Sequence, residues 1–383
     1  MISSILRYSK NFLSYYTLLF ILVISSNIIA GNFVLADYLY LFFCVVAFSR
    51  TYNLKRNPKV FLYVLYFVLC ALLVYSLYSN FRGLMSSCRF ILGILFCSIL
   101  FYSYNNVLYR EKIVKGYGYA CVFLSIFVII QFISYYVLHI NIDLSFGDYA
   151  ASADTHANAA GFYDPLKDLF YRTGGLFNEP SWFAAYVSPS CFILTRNKSY
   201  KEAFVVIVGL LMSTSGLGFV VLAIYLSWLI LQYNKTIGIV VALLFLTAYI
   251  GLPFIFERAS QGVDGGSFEA RITIPFTKIL QIPELSIFGI NPAYHYDRFG
   301  EPLFFANTLT FIYIYFGIIG LFVFFKYVYF KRFFALTIAI LAIISIEGLY
   351  GRIDFWMMVL ACKIYSSQML EEKRSIMVDE SFG

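Results

Sequence analysis

The stretch Tyr117-GYACVFLSIFVIIQFISYYVL-His139 contains no Asp, Glu, Lys or Arg. A helix of about 20 apolar residues crosses a hydrocarbon layer about 30 Å thick, so this run reads as a membrane span. Arg110, Lys112 and Lys115 stand just before it, as basic residues do on the cytoplasmic side of a span. Similar runs recur along the chain, near 12–30, 33–49, 60–79, 83–103, 181–195, 202–215, 217–234, 236–256, 303–325, 333–350 and 352–368. The sequence thus predicts an all-α, polytopic integral membrane protein with about twelve transmembrane helices. A merged pair within 202–234, where Ser213-Thr-Ser-Gly-Leu-Gly218 must form a tight turn, would reduce the count to eleven.

Composition agrees. Hydrophobic residues make up 61% of the 383 and charged ones 13%, with a mean hydropathy of +0.78. Soluble domains carry about 45–50% apolar and about 25% charged residues, so a water-soluble fold is excluded. Tyr, Phe and Trp reach 20%, and many tyrosines fall near the ends of the runs, where amphipathic rings suit the interface. The first run, near Phe12 to Ile29, lacks a small-residue cleavage site and reads as a permanent helix. The seven cysteines all lie inside apolar runs and read as small buried side chains rather than disulfide partners.

The net charge of +7 could suit nucleic acid, but topology explains it better. With the N-terminus in the cytoplasm, 19 of the 28 Lys and Arg fall in inward segments, although the outward segments are longer. The even span count and two cytoplasmic termini follow from that asymmetry. One membrane domain occupies 1–368, and 369–383 forms a short cytoplasmic tail. Two outward loops, 140–180 and 257–302, are too long to be mere connectors and mix charges, aromatics, Gly and Pro, which favours a functional role.

The first loop closes with Arg172-Thr-Gly-Gly-Leu-Phe-Asn-Glu179-Pro180-Ser-Trp182. Pro180 suits the first turn of a helix, Asn178 suits its N-cap, and Glu179 sits where the positive end of the helix dipole favours negative charge. The plainer reading is a capped helix start beside a snorkelling arginine. The functional reading has Arg172, Gly174, Gly175 and Glu179 lining an outward site, with the glycines admitting a bulky polar substrate to the backbone.

The pattern R-x-x-G-x-x-x-E-P, carried by Arg172, Gly175, Glu179 and Pro180, resembles the bacterial O-antigen polymerases of the Wzy type, relatives of the O-antigen ligases. The Ser213–Gly218 turn and a second-loop segment with Arg271 and Phe288-Gly289-Ile-Asn-Pro292 are also similar. The resemblance implies a glycosyltransferase of the bacterial cell inner membrane. It would join oligosaccharide units carried on undecaprenyl diphosphate at the outer face, among membrane lipid, with a chain-length regulator protein as a further partner. Such chemistry needs cations to hold two phosphates, and arginine's planar fork suits them. Arg172 and Arg271 are the first candidates, and Arg258 and Arg298 are further ones. An acceptor hydroxyl calls for a base, for which Glu179 comes first and His295 second.

The plainer readings remain for each. Arg258, beside Glu257 at a span end, suits an interface anchor. His295 suits a structural loop residue, and its surroundings depart from the ligase pattern. Arg89, about two turns into the fourth span, is costly in lipid and so a candidate for a polar cavity or a phosphate, while Arg82, nearer the interface, suits a lipid head group. Glu347, Arg352 and Asp354 cluster at the last outward turn, where mutual pairing is the simpler account. No metal-ligand spacing, P-loop or dinucleotide fingerprint is present, so no cofactor and a metal-independent reaction are expected. The alternatives are an O-antigen ligase transferring glycan to lipid A core, or a lipid-linked oligosaccharide flippase or transporter. A flippase would place more ionisable groups inside its spans.

Overall fold

The computed structural model describes residues 29–30, 33–34, 87–95, 97, 107–140, 142, 173–177, 179–233, 236–240, 307–330, 333–349 and 351–382, with isolated positions at 38, 65, 68, 69, 277, 287 and 289. Among these, the helices are α1 (Val107–Tyr136), α2 (Pro180–Val187), α3 (Pro189–Arg196), α4 (Tyr200–Met212), α5 (Gly216–Tyr233), α6 (Thr308–Val328), α7 (Phe334–Ile346) and α8 (Ile353–Phe382), with further helical residues at 87–95. The one departure from helix is a two-residue antiparallel pair, β1 (Ile29–Ala30) with β2 (Phe33–Val34), in which Ile29 faces Val34 and Ala30 faces Phe33. It falls where the first two expected spans were to meet.

Two helices are long and apolar enough to cross a membrane, Glu111–Tyr136 within α1 and the whole of α6, and α5 and α7 contain shorter apolar helices. The surface of α1 shows what such a helix faces. Tyr119, Phe123, Ile126, Ile130 and Ile133 are exposed at intervals of three or four, while the opposite face buries Tyr117, Cys121, Leu124, Val128 and the polar Ser125 and Gln131. A soluble protein rarely leaves so continuous an apolar stripe uncovered. Lipid would satisfy it, and the polar side chains turn inward, where the protein supplies partners.

Several boundaries differ from the sequence expectation for identifiable reasons. α1 starts at Val107 rather than 117, because Arg, Lys and Glu continue a helix as well as apolar residues do, and Glu111 and Lys115 pair one turn apart at 2.6 Å. The expected span 181–195 is two eight-residue helices interrupted at Pro189, which has no N–H to return to the preceding turn. The residues expected as a tail, 369–383, largely continue α8 to Phe382. α4 has only 13 residues, about 20 Å at the usual rise, well short of the hydrocarbon thickness. It ends at a buried turn, Ser213–Ser215, with Thr214 at a φ of 50°, and α5 follows.

Small residues let the helices meet closely, as they do between helices in membranes. A Cβ at Gly209 of α4 would lie 2.7 Å from Cβ of Ser125 on α1, and Gly93 faces the indole of Trp356 directly. The Phe90 ring is buried between Phe316, at 5.1 Å between centroids, and Trp356, at 5.6 Å. Hydrogen bonds tie helix ends together at both ends of the bundle. Asn307 caps α6 by accepting from Thr310 N at 2.9 Å. Thr308 Oγ1 donates to Glu347 O at 2.6 Å and accepts from Leu349 N at 2.9 Å, joining the start of α6 to the end of α7. At the other end of these helices Thr337 Oγ1 accepts from Phe330 N at 3.0 Å.

Charge divides the bundle into two unlike ends. Arg196 lies over the Phe333 ring and Lys363 over the Tyr327 ring at 4.4 Å, which gathers the last turns of α3 and α6 into a basic end. The opposite end gathers the starts of α2, α6 and α8 and carries the Glu179-Pro180 motif. Of the described cysteines, Cys97, Cys121, Cys191 and Cys362 are buried and Cys88 is half-buried, all as free thiols.

Candidate functional site

The motif end is built around a turn that descends onto the short α4. Because α4 stops early, there is room above it, and Thr173–Phe177 fills that room with all five residues buried. Thr173 Oγ1 donates to Met212 O at 2.9 Å, satisfying a carbonyl in the last turn of α4. Phe177 N donates to Gly174 O at 3.1 Å, which closes the turn. Gly175 adopts a φ of 62°, a region where a Cβ is penalised, and one would lie 2.9 Å from Val128 Cγ2 of α1. A Cβ at Gly174 would lie 2.5 Å from Phe177 O. The close backbone approach that these glycines permit is therefore to α1 and to the turn itself.

Gln131, in the apolar run of α1, holds this turn in place. Its Oε1 accepts from Gly175 N at 2.9 Å and its Nε2 donates to Ile142 O at 3.1 Å. Ile142 stands just after α1 and Gly175 just before α2, so one amide pinches together the two ends of the first long loop. The one signal of Gln131 in the sequence is a polar side chain inside an apolar run.

From the turn the chain enters α2. The N-cap is Glu179, in extended conformation, with Pro180 at the first helical position. This moves the cap one residue from the expected Asn178, which lies outside the described residues. Glu179 O accepts from Trp182 N and Phe183 N, its carboxylate accepts from Ser181 Oγ at 3.1 Å, and the residue is half-buried. One turn on, Trp182 meets the start of α8, where the Arg352 guanidinium lies 4.1 Å from the centre of its indole. Asp354 grips the same guanidinium at two points, 2.8 Å from Nη2 and 3.1 Å from Nε, with side-chain exposures of 14% for Arg352 and 3% for Asp354. Such a pair is charge-assisted, bidentate and largely dry. Asp354 also accepts from Phe355 N at 2.9 Å, so the carboxylate caps its own helix. Arg89, half-buried, runs alongside Gly351: a Cβ there would lie 3.5 Å from Arg89 Cδ.

The motif end therefore brings four of the expected residues near one another. Gly174, Gly175 and Glu179 lie within one short stretch, and Arg89 lies beside Gly351, the residue before Arg352. The pairing of Arg352 with Asp354 is as expected; its stacking on Trp182 links positions 170 apart in sequence and had no local signal. Arg172, Arg82, Arg258, Arg271, His295 and Arg298 lie outside the described residues.

Three residues of the second long loop are described, Thr277, Ile287 and Gly289, and the last two lie against α6. Gly317, inside α6, has φ 64° and ψ −163°, which breaks the helix. A Cβ at Gly317 would collide with Ile287 O and lie 2.6 Å from Gly289 N, while one at Gly289, whose φ is 108°, would lie 2.7 Å from Ile314 O. The two glycines thus allow two backbones to interlock where neither could carry a side chain.

Chemically, the motif end offers a half-buried acidic residue, Glu179, and two guanidinium groups, Arg89 and the Arg352 group already held by Asp354 and Trp182. Compared with protein families, curated proteins and solved structures, the chain matches none.

Proposed function

We propose that the chain is a polysaccharide polymerase, a glycosyltransferase joining undecaprenyl-diphosphate-linked oligosaccharide units at the outer face of the bacterial inner membrane. In this reading the protein has about twelve spans and two cytoplasmic termini, and the motif end faces outward. The observation that carries it is the built motif: Thr173–Phe177 are buried and pinned to α1 and α4, and Glu179 follows at the start of α2, half-buried. An acidic residue set beside a rigid frame and not fully buried suits a group that must meet a substrate.

In the reaction, an acceptor sugar hydroxyl attacks the anomeric carbon of the donor unit. The carbon–oxygen bond to undecaprenyl diphosphate breaks, the new glycosidic bond forms, and the hydroxyl proton passes to a base. Glu179 takes that proton, with His295 as the second candidate. Arg172 and Arg271 offset the charge that builds on the leaving diphosphate, and Arg89 extends the cationic wall on the motif side. Trp182, its face already occupied by Arg352, stiffens the start of α2 and so fixes Glu179. A chain-length regulator would act on this enzyme from outside the site.

Complementation tests the reading. In a strain lacking its own polymerase and supplied with the matching repeat unit, the chain restores a ladder of long glycans. In the native host with this chain deleted, long chains that still form but fail to reach core lipid would instead identify a ligase, and repeat units trapped on the inner leaflet would identify a flippase.

A further inference from the structure

α6 has 21 residues in two helical pieces that meet at Gly317, nine residues before it and eleven after, and spans at most about 31 Å at the usual rise, the scale of the hydrocarbon thickness. Gly317 is nine residues beyond Thr308, or about 13 Å along that helix, close to mid-membrane. The helix is broken there, and a break in lipid leaves backbone groups that need partners. Ile287 and Gly289 supply a second backbone at that depth, with Gly289 N beside Gly317 and Ile314 O beside Gly289. Ile287 turns its side chain outward at 54% exposure, as Ile318 does at 41% one residue past the break. An apolar residue exposed on the middle of a bilayer-length helix faces acyl chains. A wholly aqueous loop would not be placed there.

We propose that Ile287 and Gly289 belong to a re-entrant segment, in which the second long loop dips into the membrane from the outer face and locks into the break of α6 through Gly289 and Gly317. Non-helical backbone at membrane depth is tolerated where protein buries it, and the mutual glycines provide that burial. The re-entry, though not the depth, rests on the reading in which residues 257 and 302 are on the same side. Neither backbone can accommodate a methyl group, which makes the lock dependent on both glycines.

Depth measurement by spin labelling in the full-length protein, reconstituted in bilayers, tests this. A nitroxide carried on a noncanonical residue at position 287 should collide with oxygen and be shielded from a water-soluble nickel chelate, matching a label at 318. Free access of nickel to position 287 overturns the insertion. Gly317→Ala should expose the label at 287 to nickel without changing the label at 318, and Gly289→Ala provides the same test should the first variant fail to insert. A label at 287 that stays shielded in whichever variants insert overturns the lock. Ser260→Cys and Glu301→Cys should both react with an impermeant maleimide from the outer face. Reaction from opposite faces overturns the re-entry and the twelve-span topology, whereas loss of the glycan ladder alone bears on the polymerase reading.

Discussion

The two ends of the bundle use the same kinds of charge in opposite ways. At the basic end, Lys115 and Glu111 pair across one helical turn with side chains 56% and 49% exposed, and Arg196 and Lys363 lie against aromatic rings. At the motif end, Arg352 and Asp354 are nearly withdrawn from solvent and meet in a two-point grip over Trp182. Water and salt weaken the first pair to little net value. The second has given up its hydration, so each member depends on the other. Basic residues that only record topology can stay wet, whereas a charge pair buried beside the motif constrains how α2 and α8 fit together.

The contrast is sharpest for deletion of one partner. Asp354→Ala leaves a buried guanidinium without its carboxylate and should cost about 3–5 kcal/mol, read as a large fall in the thermal unfolding midpoint of the purified protein. Replacing Arg352 with Met in that background should restore much of the loss, because no uncompensated charge then remains. If Asp354→Ala is as mild as a change at Glu111, the two ends do not differ in the way described.

Gly175→Ala comes next. Its positive φ and the nearby Val128 methyl group together should cost about 1–3 kcal/mol, with Gly174 and the turn displaced from α1. Gln131→Leu removes the amide that accepts from Gly175 N and donates to Ile142 O, leaving a buried N–H unsatisfied at a cost of about 1–3 kcal/mol. The distinctive result for Gln131 is faster proteolysis between residues 143 and 172, because the base of that loop is no longer pinched. The smallest effect belongs to the basic end: Glu111→Ala should change stability by about 0.3–0.5 kcal/mol, and less at high salt.

Much of the helical framework was legible in the sequence because lipid imposes one strong rule, length and apolarity together. α1 and α6 meet that rule where spans are expected, whereas α5 and α7 are shorter apolar helices within expected spans. Pro180 announced the start of α2 to within one residue, because proline's missing N–H has few other comfortable places. What the rule could not register were interruptions that keep an apolar composition. Tyr315-Phe-Gly317-Ile-Ile-Gly320 reads as continuous span, and the break at Gly317 depends on a backbone about thirty residues earlier in the chain. The eight-residue helices on either side of Pro189 fell inside one hydropathic run for the same reason.

At the candidate site, the motif residues were legible as a string and not as an arrangement. Glycines 174 and 175 were expected to admit a substrate; the structure spends their freedom on contact with α1 and within the turn. Arg352 was discounted as a paired surface charge. Its pairing is real, yet the stack on Trp182 brings it to the motif, a relation carried by tertiary packing alone. Gln131 stood out only as a polar residue in an apolar run, and nothing local indicated that both ends of one loop would meet it.

On the proposed reading, Glu179 at the start of α2 does chemistry together with Arg172, the arginine that precedes it in the motif. The most direct measurement is the glycan ladder of a polymerase-null strain carrying Glu179→Ala or Arg172→Ala, with normal insertion verified for each. The account predicts single repeat units and no ladder for both variants. Full-length ladders from either inserted variant would contradict it.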